Sequence, residues 1–210
     1  MTLILTVLAV FIVLVVSEWL WRRRKLQSEF TRKFVHITVG SFVAFWPYFL
    51  SATDIKLLSL AFLAVAALSK YWHIFQAIHS VQRPTWGEFW FALVVGILAF
   101  DLGHPHIFTA ALLEMSLADG LAAIIGTRYG NGQRYSVFGS PKSVIGTLTF
   151  FVVSCFILGG YYLATPGVVA PVLGVASISL VAALLENVAV RGFDNIAVPL
   201  FVAAALRFFS

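Results

Sequence analysis

Long apolar runs separated by brief polar punctuation fill the chain, and the runs have the length of bilayer crossings rather than of strands. They occupy residues 2–21, 34–50, 55–75, 88–102, 107–126, 143–163 and 168–190. About 20 residues at 1.5 Å of rise cross the hydrocarbon layer, so each run is predicted to be a transmembrane helix. A last apolar segment, residues 194–209, is short for a crossing and contains Pro199, which predicts a broken or tilted helix. The pattern therefore predicts an all-α polytopic membrane protein of about eight helices, seven if the last does not cross, in one domain over residues 1–210.

The punctuation predicts the turns. Residues 27–33 read as a polar linker, Pro47 as a kink at the end of the second span, and Thr53 or Asp54 as the cap of the third. Residues 76–87 and 127–142 read as polar loops, residues 103–106 and 164–167 as short turns, and Asp194 as the cap of the last helix.

Composition sharpens this picture. The chain is 60% hydrophobic and 11% charged, with a mean hydropathy of +0.95, which excludes an ordinary soluble domain and leaves little length for a second one. The single Cys155 cannot form an internal disulfide. At the N-terminus the basic cluster follows the apolar run, the reverse of a cleavable signal peptide, so the first span is expected to be retained.

The net charge of +5 is an orientation signal rather than a nucleic-acid footprint. With the N-terminus outside, the inner segments collect Arg22, Arg23, Arg24, Lys25, Arg32, Lys33, Lys70, Arg83, Arg128, Arg134, Lys142 and Arg191. Only Lys56 and Arg207 fall outside, and twelve against two fixes the expected orientation.

That topology gathers the polar residues of the spans. Asp119 lies about 10 Å of helix rise above the inner end of the fifth span at Gly126. Glu186 and Asn187 stand near the inner end of the seventh, Asp194 and Asn195 open the last helix, and Lys142 and Ser143 begin the sixth beside Arg128 and Arg134. Acids strung across the bilayer would suit an ion-coupled transporter, whereas these crowd one face.

Carboxylates beside lysine and arginine suit a Mg²⁺-bound nucleotide, since Mg²⁺ takes carboxylate and phosphate oxygens while the cations neutralise phosphate charge. Gly139-Ser140-Pro141-Lys142-Ser143 echoes the end of a phosphate-binding loop, but without the required spacing or a preceding strand. Glu114, five residues before Asp119 and about 140° around an α-helix, is expected to pair elsewhere. His104 and His106 lie on an outer turn without further ligands nearby.

At these residues the chain resembles the membrane lipid-alcohol kinases, the family that includes phytol kinase, dolichol kinase and the CTP-dependent diacylglycerol kinases. The resemblance rests on Arg32-Lys33-Phe34-Val35-His36 entering the second span, Ala118-Asp119-Gly120 running to Gly126 with Arg128 and Gly130, Ser140-Pro141-Lys142-Ser143 with Gly146, and Glu186 followed by Asp194-Asn195 and Pro199. The blocks keep the family's order from residue 32 to 200. Two positions depart from it: Ala118 precedes Asp119 where a Gly is common, and Ala123 stands where a second acid is common.

The resemblance implies transfer of the γ-phosphate of CTP or ATP, with Mg²⁺, to the hydroxyl of a membrane-embedded prenol or diacylglycerol at the cytoplasmic face. It implies catalytic roles for Asp119, Lys142 and Glu186, and metal contacts from Asp119, Glu186, Asp194 and Asn195. Nucleotide phosphates would meet Arg32, Lys33, Arg128, Arg134, Ser140, Lys142 and Ser143, and the lipid substrate His36 and Asn187. The phosphatidate cytidylyltransferases share a comparable arrangement, so cytidylyl transfer to a lipid phosphate is the alternative chemistry. The expected partners are nucleotide, lipid alcohol and bilayer, with no nucleic acid; the sequence also allows a homodimer.

Overall fold

The computed structural model describes residues 2–24, 29–72, 86–165 and 172–209. The side chains of Arg22, Arg23, Arg24, Arg32 and Lys70 lie outside the described residues, as do Lys25, Arg83 and most of the loop predicted at 76–87 and the turn at 164–167.

Helices dominate. They are α1 (Thr2–Arg24), α2 (Glu29–Ala44), α3 (Ala52–Trp72), α4 (Gly87–Leu98), α5 (Pro105–Tyr129), α6 (Val144–Ala164), α7 (Val172–Val188) and α8 (Asp194–Phe208). Several ends differ from the predicted ones. Helix α2 starts inside the predicted linker, and Pro47 sits in a separate 3₁₀ turn, Trp46–Tyr48, that stops the helix rather than kinking it. Ser51, not Thr53 or Asp54, caps α3: its Oγ accepts from the Asp54 amide at 3.2 Å, while the Asp54 carboxylate accepts from the Ser51 hydroxyl at 2.7 Å. This reciprocal pairing satisfies amides that the first turn leaves without partners.

Helix α8 corrects two expectations. Phe193 is its N-cap residue and makes no side-chain cap bond, so Asp194 is the first helical residue rather than the cap. Pro199 lies inside the helix, which continues unbroken to Phe208.

The fold is not purely helical. Residues 127–142, predicted as loop, contain an antiparallel hairpin in which β1 (Arg134–Val137) pairs with β2 (Ser140–Ser143), Tyr135 opposite Lys142. A strand thus does precede α6, but Lys142 belongs to the strand itself and not to a loop cradling phosphate. Ser143 ends the strand and caps α6, its Oγ accepting from the Gly146 amide at 3.1 Å.

Helix α5 is the centre of the packing, in contact with α2, α6 and α8. It and α6 are the two described helices long and apolar enough to cross a membrane. They do so differently. The apolar window of α5 is 72% buried and that of α6 only 33%, so α6 turns Leu148, Phe156 and Leu163 outward. Helix α1 likewise exposes Ile4, Leu5, Leu8, Phe11 and Ile12. An exterior this apolar fits acyl chains rather than water.

Where α5 crosses α6 the backbones meet at glycines. A Cβ at Gly126 would lie 2.7 Å from Ser143 Oγ and 3.1 Å from the Gly146 Cα. Small residues permit this approach, which brings the base of the hairpin against α5.

Candidate active site

Four segments bring their polar side chains to one cavity of about 960 Å³, lined from α2, α5, the hairpin with the start of α6, and the α7–α8 junction. Its acids are Asp119, Glu186 and Asp194, each offering a carboxylate oxygen, and these oxygens lie within 4.8 Å of one another. The residues are distant along the chain. Only the crossing of α5 with α6 and the packing of α7 and α8 beside them unite the three.

Asp119 is 4% exposed and would be costly to bury without a counter-charge. Lys33, reaching from α2, supplies one with its Nζ 2.5 Å from Asp119 Oδ2. His36, one helical turn along α2, holds its Nε2 3.6 Å from the same oxygen and 2.9 Å from the Met115 carbonyl oxygen. A nitrogen facing a carbonyl donates to it, which assigns the proton of the ring to Nε2.

Glu186, on the last turn of α7, is paired with Lys142 of β2, whose Nζ also donates to the Glu186 carbonyl at 2.9 Å. Burial alone would lower the Lys142 pKa. The Glu186 carboxylate beside it, with Asp119 and Asp194 farther off, outweighs burial and holds the ammonium above the ordinary lysine range.

A π-turn sets the height of Asp119. Over Glu114–Ala118 the helix widens, and the Asp119 amide bonds to the Glu114 carbonyl five residues back. A wider turn takes more residues, so residues five apart are separated by less than the 140° of a regular α-helix. Glu114 is nonetheless outside the cavity, its Oε1 accepting from Ser154 of α6 at 2.8 Å. Helix α5 continues past the predicted end at Gly126 to Tyr129, so Asp119 lies about 15 Å of rise from the helix end.

Of the other predicted residues, Arg134, Ser140, Ser143 and Asn195 line the cavity. Asn195 donates to the Gly87 carbonyl at 2.9 Å and so ties α8 to α4. Arg128 does not line it; it is exposed, its guanidinium 5.5 Å from the Tyr129 ring. Asn187 is absent from the lining too, since its amide donates to the Ala183 carbonyl at 2.8 Å and its Oδ1 accepts from Tyr135. The Arg32 side chain lies outside the described residues. His106 meets the Tyr48 hydroxyl at 2.8 Å.

Sequence reasoning missed Tyr135. Its hydroxyl lies 2.5 Å from Thr147 Oγ1 on α6 and donates to Asn187 on α7, which anchors the strand pair carrying Lys142. The signal was present as two four-residue stretches, Arg134–Val137 and Ser140–Ser143, around Phe138-Gly139, with alternate residues of the first facing inward.

The donor set fits a magnesium ion. On one octahedral Mg²⁺ opposite oxygens are about 4.2 Å apart and adjacent ones about 3 Å, so carboxylate oxygens that lie within 4.8 Å of one another would draw together to bind it. Asp119, Glu186 and Asp194 are the acids that can hold such an ion, with Lys33 and Lys142 placed to meet phosphate.

The chain is 36% identical over 197 residues to a phytol kinase of Synechocystis sp., covering 90% of this chain and 82% of the relative. It is 30% identical to a probable chloroplastic phytol kinase 2 of Glycine max, over 95% of this chain and 71% of the relative. A probable chloroplastic phytol kinase 1 of Oryza sativa subsp. japonica is also 30% identical, over 91% and 68%. No family model matches the chain, and no solved structure matches it.

Proposed function

The chain belongs to the phytol kinase family, enzymes that transfer phosphate to an alcohol, and from that premise we propose that it phosphorylates phytol or a similar isoprenoid alcohol. The donor is the γ-phosphate of CTP or ATP, Mg²⁺ is required, and the reaction takes place at the cytoplasmic face. The observation that supports this most is the convergence of the Asp119, Glu186 and Asp194 carboxylates within 4.8 Å, flanked by Lys33 and Lys142.

The alcohol oxygen bonds to the γ-phosphorus, the bridging bond to the β-phosphate breaks, and a nucleoside diphosphate leaves. Asp119, the most deeply buried acid of the three, accepts a hydrogen bond from the hydroxyl and takes up its proton. A loose phosphoryl transition state needs positioning more than a strong base, so a carboxylate suffices as the proton acceptor. Lys33 and Lys142 turn from carboxylate to phosphate oxygens as the nucleotide enters, and Arg134 adds to the positive field. Bound Mg²⁺ would supply charge neutralisation on the β- and γ-oxygens.

The eight helices are read as spans with the N-terminus outside. Asp101 and Arg207, whose charges lie 3.6 Å apart, then mark the outer surface, and the hairpin with its basic residues marks the inner one.

The test is transfer from γ-labelled CTP or ATP to phytol, geranylgeraniol, farnesol, a polyprenol or diacylglycerol by protein in nanodiscs. Labelled phytyl phosphate is expected, and EDTA or Asp119→Asn should abolish it. Label recovered only in pyrophosphate, or no turnover with any donor, overturns the reading.

A further inference from the structure

The hairpin turn is built against its own residue preferences. Val137 pairs with Ser140, leaving a two-residue connection in which Phe138 has φ +48° and Gly139 φ +77°. Such turns favour Asn-Gly or Gly-Gly, because a side chain at positive φ crowds the backbone and a bulky one is a rare outlier. Glycine at Gly139 meets that demand; phenylalanine at Phe138 does not. Nor is the strain offset by burial, since Phe138 is 79% exposed.

Its position suggests what the strain serves. Phe138 lines the active-site cavity at its hairpin side, together with Arg134 and Lys142. Strand β2 leads from Lys142 to Ser140 over about 7 Å, and the turn follows directly. A triphosphate held by Lys142, and by the metal ion that the three carboxylates would hold, sends its nucleoside away from the bilayer, along this strand toward the tip.

We propose that Phe138 is the platform on which the nucleobase of the donor stacks. The inference rests on the kinase reading above. An unpolar ring offers a π-face to any base and reads no hydrogen-bonding edge, so this contact favours binding while separating CTP from ATP only weakly. A rigid two-residue turn presents the ring without the freedom of a longer loop, which lowers the ordering cost of binding.

The test compares equilibrium binding of Mg-CTP, Mg-ATP and Mg-tripolyphosphate to the full chain in nanodiscs, for wild type, Phe138→Ala, Phe138→Gly and Phe138→Trp. Phe138→Ala and Phe138→Gly should each weaken both nucleotides about tenfold and leave tripolyphosphate, which has no base, unchanged. Phe138→Gly relieves the backbone strain and keeps the turn, so a loss there does not come from a damaged hairpin. Phe138→Trp should retain affinity, and its added fluorescence should be quenched by CTP and not by tripolyphosphate.

Nucleotide affinity unmoved by Phe138→Ala overturns the platform while leaving the kinase reading intact. Equal weakening of nucleotide and tripolyphosphate also overturns it, as does a change confined to the KM for phytol, which would make Phe138 a membrane anchor. A wild-type protein that binds none of the three would sink both readings.

Discussion

Lys142 is the residue on which charge, strand and helix meet. Its ammonium is held above the ordinary lysine range by Glu186 despite burial, so the stability linked to protonation of Lys142 is present in full below about pH 10.4 and is lost as pH rises through the elevated value. Thermal unfolding between pH 7 and 9 should therefore reveal no titration that Lys142→Met removes; a transition in that window abolished by the substitution would contradict the assignment. The same variant should lower kcat at least a hundredfold, with Lys142→Arg recovering part of it, because Glu186 and phosphate need the charge. Tyr135 acts through position alone. Phe in its place breaks the bonds to Thr147 and Asn187, which should cost about 1 kcal/mol of stability and lower kcat while the KM for phytol stays near wild type.

Among the elements, the α5–α6 crossing decides where the hairpin starts. Gly126→Ala puts a methyl group 2.7 Å from the Ser143 Oγ that caps α6 and 3.1 Å from the Gly146 Cα, so cap and backbone must both shift. Overpacking of this kind costs about 1–3 kcal/mol, and a lowered unfolding temperature with reduced turnover is expected. Gly132→Ala is the control: a Cβ there meets nothing within 4 Å, so a comparable loss would show that the crossing is not the cause. Two features of these elements escaped the sequence for the same reason. A π-turn and a four-residue strand leave almost no periodic trace in so short a stretch, yet the first sets the direction of Asp119 and the second carries Lys142.

For the whole molecule, the orientation proposed from the basic residues is open to direct labelling. In a Cys155→Ala background, Gly103→Cys should react with a membrane-impermeant maleimide from outside intact cells, and Asn131→Cys only after permeabilisation. The reverse pattern would place the active site on the other face of the membrane. The apolar exteriors of α1 and α6 require a bilayer in either case.

By itself the sequence determined what has a long-range average: helical content, near-correct helix positions, the apolar exterior and the family blocks around Asp119, Lys142 and Glu186. These follow from hydropathy and residue type summed over many positions, and local irregularity does not disturb them. Tertiary structure alone decided which partner each polar group takes within the gathering that the topology predicts. Lys33 finds Asp119 across two helices, Asp194 stays out of its helix cap and joins the acid cluster, Arg128 falls outside the cavity, and Asn187 is spent on Tyr135. A side chain's partner depends on rotations of tens of degrees and shifts of a few ångströms between packed helices, and these are fixed only when the glycines at the crossing, the π-turn and the hairpin are all in place.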